Sequence, residues 1–418
     1  MRRCHLIPCL LLLAPLVLPG AEQPTLSLDD AVIQTLHRSL VIASARAGVA
    51  GAQAQEVTAG YSPNPSLNLG AEQFDLIKPN SYLGSDSGAG ANRTYTVHVD
   101  QQIELGGKRG LRLRTAAAQR RAAEAQVNEA RRQQIAAVRQ IFVAGLLARD
   151  NLRLAEDNVS LDDRTEGVIR TQVDAGHRPQ ADLISFTVGR IQARQEASAA
   201  RLVYDQTRTD LLNLLGSEPG AAVPELIGDL EAPAALSPAV DDPTALAQRS
   251  DVIVARLLAD AADAAVDLAR SQRAIDPTLG IEYQRVGGTN TAGVTATIPL
   301  PMWNNHAGDI NQADAARIQA ELQWRLIMRQ ARAEVEKAHQ GVLASRAQLN
   351  LYSPEMMAKA SQVLEIVSHS YQEGATSLLE LMDARRAHNQ VHLAANQVRY
   401  AHRLAAIQLD LALGTPAP

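Results

Sequence analysis

Two stretches of equal length decide the fold: GHRPQADLISFTVGRIQARQEASAARLVYDQTRTDLLNLLG, residues 176–216, and GATSLLELMDARRAHNQVHLAANQVRYAHRLAAIQLDLALG, residues 374–414. The residue numbers differ by 198 at both glycine ends. Aligned without a gap, the stretches share identical residues at Leu183/Leu381, Gln192/Gln390, Arg201/Arg399, Leu211/Leu409 and Leu215/Leu413. A fixed offset over so long a segment indicates an internal duplication. The chain is therefore expected to contain two similar halves.

The duplication extends upstream of these stretches. Pro65-Ser66-Leu67 corresponds to Pro277-Thr278-Leu279, and AEAQ at 123–126 corresponds to AELQ at 320–323. The segment between the halves is rich in proline and acidic residues and predicts a loop. We therefore divide the chain into a first repeat over 22–216, a linker over 217–243, a second repeat over 244–414 and a short C-terminal tail over 415–418.

Each half has the same predicted order of helix, two strands, long helix and shorter helix. In the first half these elements cover 27–60, about 66–75, about 94–103, 110–173 and a helix ending at 216. In the second half they cover 244–274, 278–286, 291–299, 305–372 and 377–413. At 1.5 Å per residue each long helix would span roughly 100 Å. The two shorter helices of a half, stacked end to end, would lie alongside it.

The first 21 residues have the features of a secretory signal peptide. Arg2 and Arg3 precede an apolar run, and Gly20-Ala21 provides a small-residue exit. Both cysteines, Cys4 and Cys9, lie in this stretch. The remainder therefore has no thiol chemistry, no disulfide framework and no cysteine-bound metal. The sequence predicts an exported protein.

Composition narrows the class of protein. Forty Lys and Arg against 45 Asp and Glu leave no basic excess, which argues against nucleic-acid binding. Only 3% of residues are aromatic, yet six of them fall in or beside the predicted strands: Tyr61, Phe74, Tyr82, Tyr95, Tyr283 and Trp303. Such clustering is typical of the interfacial girdles of a membrane barrel, although aromatic residues favour strands generally. Four strands can cross a bilayer but cannot close, so several copies must combine.

This order of elements, repeated twice behind a signal peptide, is similar to that of the TolC-type outer-membrane efflux channels. The resemblance implies a mainly α protein with a membrane β-barrel. In such a homotrimer a 12-stranded barrel in the outer membrane continues into an α-helical tunnel in the periplasm. It also implies contacts with outer-membrane lipid, a periplasmic adaptor (membrane fusion) protein and an inner-membrane RND pump. No enzyme activity, cofactor or nucleic acid is expected.

The segment QQIELGGKR, residues 101–109, joins the second strand to the long helix and resembles the turn of the CzcC-like (cobalt-zinc-cadmium resistance) heavy-metal branch. It implies a passive exit duct of a tripartite system for heavy-metal cations. Gly106 and Gly107 can adopt positive φ where a strand turns into a helix. Lys108 and Arg109 would lie where the barrel meets lipid headgroups or the tunnel, or else in a solvated turn.

Three alternative functions stay open at this point. The same layout serves channels for drugs and other organic compounds or for type I secretion. A periplasmic coiled-coil structural or adaptor protein would have the long helices without a barrel. A helical-bundle metalloenzyme would need bound metal, and Glu336-Lys337-Ala338-His339 is a single motif where such bundles use two with further Glu.

The turns of the two helical hairpins are the main functional candidates. The resemblance implies that they form the periplasmic entrance and dock the adaptor, with Gly176 and Gly374 at their tips. Glu380 and Asp383 match acidic entrance positions and share a helix face, so a trimer would present six carboxylates to cations. They could equally be ordinary exposed acids.

A second pair at the tips matches a closed-state contact between neighbouring helices, namely Asp182 and Tyr371. The place of the basic residue that the family uses beside this pair is held by Thr376, so a charged lock is not expected. His388 and His392 are four residues apart on one helix and could together bind a divalent metal. Because no third ligand is evident, the sequence predicts no metal site there.

Overall fold

The computed structural model describes residues 25–72, 93–218, 220, 222–231 and 246–414. The predicted signal peptide, Phe74, Tyr82, most of the linker and the C-terminal tail lie outside these ranges. Helices dominate the described residues. None of the helices in the described part of the chain carries an apolar segment that could cross a bilayer.

The described elements follow the predicted order in both halves. Those of the first half are β1 (Thr25–Leu26), α1 (Leu28–Arg38), α2 (Leu40–Ala59), β2 (Ser66–Glu72), β3 (Thr94–Gln102), α3 (Lys108–Asp174) and α4 (Gln180–Leu214). After β4 (Glu225–Leu226), the second half contains α5 (Ser250–Ser271), β5 (Thr278–Val286), β6 (Thr289–Thr297), α6 (Ala307–Leu351), α7 (Pro354–Gln372) and α8 (Leu378–Leu413).

Two helices predicted as continuous are each divided in two. The helix expected over 27–60 breaks at Ser39, whose side chain caps α2 by accepting a hydrogen bond from the Ile42 amide. The helix expected over 305–372 ends at Leu351, and α7 begins at Pro354. Ser353 caps α7, and proline fits its first position because that amide needs no partner inside the helix.

The four longer strands form one antiparallel sheet in the order β2-β3-β5-β6. Their register aligns Leu67, Val99, Ile281 and Val294 in one row across the sheet. Each of these four side chains is at least 40% exposed. The alternate positions carry polar groups, as in the row that contains Asn68, His98 and Glu282. The sheet therefore has one exposed apolar face and one polar face.

Part of the linker is ordered into the fold, although a loop was predicted there. Strand β4 pairs in parallel with β1, with Leu226 opposite Leu26. Both leucines are buried in the largest core cluster, which lies at the middle of α3 and includes Phe142 and Leu146. The linker thus attaches to the first repeat at the middle of its long helix.

The final helix of each half packs back onto the start of that half through a glycine. Gly216 and Gly414 have φ values of 68° and end α4 and α8. A Cβ atom on Gly216 would lie 2.8 Å from the Arg38 carbonyl oxygen, and one on Gly414 would lie 2.7 Å from Cγ of Arg249. The same closing contact in both halves agrees with the duplication that the sequence predicted.

Candidate functional site

Both hairpin turns begin with the same helix ending. At the end of α3 the Gly176 amide donates to the Val173 carbonyl and the His177 amide to the Gln172 carbonyl. At the end of α7 the amides of residues 374 and 375 make the equivalent bonds to the carbonyls of residues 371 and 370. This pattern is a Schellman motif, which places its glycine in the left-handed region. Gly176 and Gly374 have φ values of 74° and 80°.

A small core joins the two hairpins just inside these turns. It contains one or more side chains from each of the four helices that meet there: Ile169, Phe186, Tyr371, Leu378 and Leu381. Tyr371 is 1% exposed, although it occupies the last turn of α7. Its hydroxyl has no hydrogen-bond partner within the described chain. The pKa of this hydroxyl is raised, because burial and the Asp182 charge raise it by more than the Arg178 charge lowers it.

Arg178 links the two hairpins. Its guanidinium lies over the Tyr371 ring, 3.9 Å from the centroid, and donates to the Tyr371 carbonyl oxygen at 3.0 Å. It also donates to the Gln172 amide oxygen at 2.9 Å and lies 3.8 Å from an Asp182 carboxylate oxygen. The expected pair of Asp182 and Tyr371 is thus connected through Arg178.

The expectation that the tips lack a charged contact was therefore wrong. Thr376 does occupy the position of the family's basic residue in the second hairpin, but Arg178 of the first hairpin supplies the positive charge. These two residues are 198 positions apart, which is the offset of the repeat. The Arg178 side chain also approaches the Thr376 carbonyl oxygen at 3.4 Å. The repeat offset was the signal in the sequence that could have identified Arg178.

The two predicted entrance acids each have a local partner. Ser377 and Glu380 form a capping box: the Ser377 amide donates to the Glu380 carboxylate at 2.8 Å, and the Glu380 amide donates to the Ser377 hydroxyl at 3.3 Å. Asp383 pairs with Arg386 at 3.0 Å on the exposed side of α8. Both carboxylates are exposed, so both remain available to ions. Glu380 additionally stabilises the start of α8.

A group of buried charges lies about three to four helical turns inside the tips and was not predicted. Asp162 and Glu166 on α3 are each 4% exposed. Asp162 pairs with Arg385 of α8, while Glu166 pairs with Arg190 of α4. Burial lowers the pKa of Arg385 to about 10. Because unpaired buried charges are costly, these pairs fix how α3 packs between α4 and α8.

The strand-to-helix turn lies at the opposite end of α3, about 100 Å away for a helix of this length. Gly106 and Gly107 have φ values near 70°, as predicted. Lys108 is 4% exposed and donates to the Asp276 carboxylate at 2.7 Å and to the Ala274 carbonyl oxygen at 2.8 Å. Arg109 donates to the Gly60 carbonyl oxygen. For Lys108 a solvated turn is therefore wrong: its side chain joins the two repeats.

His388 and His392 come together midway between the tips and the large core. Their ring centroids are 4.2 Å apart, and each Nε2 lies 3.4 Å from the Ser361 hydroxyl oxygen of α7. In the described ranges, no three His, Cys, Asp or Glu side chains are grouped so that they could hold a metal ion. The two histidines that the sequence offered as metal ligands are thus adjacent, and their imidazoles both contact one serine hydroxyl.

The chain is similar to a known protein family, to individual relatives and to solved structures. Residues 32–217 and 243–415 match the model of the family described as outer membrane efflux protein. The fold of CusC matches with a TM-score of 0.77 at 18% identity, covering 93% of this chain and 92% of that one. This similarity shows the fold that the sequence predicted.

Two relatives come from bacterial export and resistance systems. The cobalt-zinc-cadmium resistance protein CzcC of Cupriavidus metallidurans is 24% identical over 333 residues, which is 78% of each chain. The pyoverdine export outer membrane protein OpmQ of Pseudomonas aeruginosa is 25% identical over 420 residues, 93% of this chain and 85% of the relative. The predicted resemblance to the CzcC-like branch is confirmed by the first of these matches.

Proposed function

We propose that this chain, which belongs to the outer membrane efflux protein family, is the exit channel of a tripartite efflux system that exports heavy-metal cations. Membership places it among outer-membrane efflux proteins and not among enzymes. The name of CzcC supports heavy-metal cations as the exported class. The channel itself is passive in this proposal, and an inner-membrane RND pump with a periplasmic adaptor drives transport.

The exposed apolar face of the sheet is the observation that carries the proposal. Leu67, Leu69 and Val294 are 62%, 72% and 87% exposed on that face. Apolar side chains on one face and polar ones on the other are the pattern of a sheet between lipid and an aqueous interior. Burial in lipid would remove this apolar area from water, which stabilises the inserted sheet by about 25 cal/mol for each Å² buried.

Unpaired sheet edges require more than one chain. Strands β2 and β6 are the outer strands of the described sheet, and lipid does not tolerate open backbone edges. Three copies would supply 12 strands and close the barrel. Exposed apolar side chains on α2 and α4 agree with neighbouring chains along the helices as well: Leu40, Val41, Val57, Ile184, Val188 and Ile191.

The hairpin tips are the proposed periplasmic entrance. Gly176 and Gly374 lie at exposed turns with no atom within 4 Å of an added Cβ, as a docking surface for an adaptor requires. Arg178, Tyr371 and Asp182 hold the hairpins together in the arrangement seen here, and we assign it to the closed state. Glu380 and Asp383 remain candidates for attracting cations.

Export of organic compounds is the second candidate function, because OpmQ carries pyoverdine export in its name and covers more of this chain than CzcC does. The deciding experiment measures growth of a deletion strain, with and without the gene restored, in graded zinc, cobalt and cadmium and in graded organic antimicrobials. We expect sensitivity to the metal salts. Sensitivity to organic compounds alone would contradict heavy-metal export and support the second candidate.

A further inference from the structure

We propose that His388, His392 and Ser361 form a binding site for a divalent transition-metal ion between α7 and α8. The two Nε2 atoms converge on the Ser361 hydroxyl oxygen, at 3.4 Å each. Two imidazoles one helical turn apart can bind one ion through these nitrogens, and imidazole suits zinc, nickel and copper. Ser361 contributes an oxygen, and water completes the coordination.

The equivalent positions of the first repeat carry no histidine and form ion pairs instead. The residues 198 positions earlier are Asp163, Arg190 and Arg194. There both arginines pair with one Asp163 carboxylate oxygen, at 3.3 and 2.9 Å. The same triangle of positions therefore joins α3 to α4 by charge in the first hairpin.

The second repeat has exchanged that ion-paired triangle for neutral ligands. A carboxylate and two guanidiniums became a hydroxyl and two imidazoles, and the remaining contacts at 3.4 Å are long for hydrogen bonds. Guanidiniums do not bind metal cations, whereas neutral imidazoles do. A bound ion would restore a strong link between α7 and α8 at the place where the first hairpin has its ion pairs.

The surroundings give an ion access to the two imidazoles. Both histidines line an open cleft of about 630 Å³ that α3 also borders, and Arg153, Asp157 and Arg164 are among its lining residues. With two protein nitrogens the binding should be weak and exchangeable. Contact of exported ions with this site rests on the proposed function, but binding itself does not.

Zinc titration of the purified full-length protein in detergent tests the site, with magnesium as the control ion. We expect zinc to bind with one ion per chain at this site, and H388A and H392A each to weaken it at least about tenfold. The matched control is H402A, because His402 also lies on α8 with its Nδ1 atom 3.1 Å from a serine hydroxyl, that of Ser345, and it is ten residues beyond His392 in the chain. This variant should bind zinc as the wild type does.

A second variant covers the case in which alanine disturbs packing. The triple variant S361D/H388R/H392R installs the ion-paired residues of the first repeat and should keep the oligomer while abolishing zinc binding. Unchanged zinc affinity in H388A, H392A and the triple variant would overturn the proposal. The metal resistance of cells is measured in a separate experiment. If cells that carry the triple variant still resist metal although this variant does not bind zinc, the proposed function remains intact.

Discussion

The guanidinium of Arg178 lies 3.9 Å from the centroid of the Tyr371 ring, so the turn of the first hairpin covers the last turn of α7. The ring is 1% exposed. A cation over an aromatic face contributes about 0.5–2 kcal/mol, more when water is excluded. Arg178 also holds two backbone carbonyl oxygens of the second hairpin. This one side chain therefore carries much of the contact between the two tips.

Removal of this side chain should loosen the proposed entrance. We expect R178A to raise single-channel conductance in planar bilayers, because the hairpins lose their charged contact, while trimer assembly is unchanged. The matched control is K359A, which removes an exposed cation that pairs with Glu355 on its own helix. Equal conductance of R178A and wild type would show that the contact does not limit the opening.

Glycine at the two tips should be needed for backbone geometry alone. Nothing lies within 4 Å of an added Cβ at Gly176 or Gly374, so G176A and G374A should each cost about 1 kcal/mol through positive φ. The comparison is G216A, whose Cβ would also lie 2.8 Å from a carbonyl oxygen and which should cost more. Thermal unfolding measures all three. Bulky side chains at the tips should in addition abolish export while membrane insertion persists.

The proposed entrance acids, Glu380 and Asp383, can be tested without damaging the helix that carries them. Because Gln also completes a capping box, E380Q/D383N removes both charges and keeps the start of α8, whereas E380A should cost about 0.5–1 kcal/mol. We expect the Gln/Asn double variant to reduce cation selectivity and block by divalent ions in single-channel recordings. Unchanged selectivity would mean that these side chains do not line the entrance.

The fold should be destabilised when the buried pair at the strand-to-helix turn, which joins the two repeats, is broken. Lys108 and Asp276 are 2.7 Å apart with side chains 5% and 13% exposed. Removing one partner of a buried pair costs about 3–5 kcal/mol, because the other charge stays buried. D276N should therefore lower the melting temperature strongly, and K108M/D276L should recover part of the loss. A stability loss in the double variant equal to the sum of the losses in the two single variants would contradict a direct pairing.

Acid should lower the stability of the second repeat by protonating Asp251, the partner of the buried Arg249. Burial raises the pKa of Asp251, but hydrogen bonds and charge from Arg249 outweigh burial and hold it below the ordinary value of 3.8. A carboxyl whose folded pKa is depressed stabilises the fold above its unfolded value, and this contribution is lost as pH falls through the folded value. Thermal unfolding between pH 5 and 2 should therefore show a steeper loss for the wild type than for D251N.

The sequence predicted the long elements well and the local breaks poorly. The bounds of α3 are within two residues of those expected, because its apolar periodicity is long. The division at Pro354 was missed although Ser353-Pro354 is a helix-start signal, since the apolar pattern continues on both sides. Arg178 was missed because no local pattern contains a contact between two hairpins, although the repeat offset marks it as the position equivalent to Thr376.

The proposed trimer is tested most directly by cross-linking the two outer strands. Both native cysteines lie within the first nine residues, so introduced cysteines can be read cleanly. Strands β2 and β6 are separated by two others, about 14 Å within one chain, which is too far for a disulfide. We would pair a cysteine scan of 66–72 with one of 289–297 in isolated outer membranes. The account predicts disulfide-linked dimers and trimers and no larger species. Monomers at every pair, or a ladder beyond three chains, would contradict it.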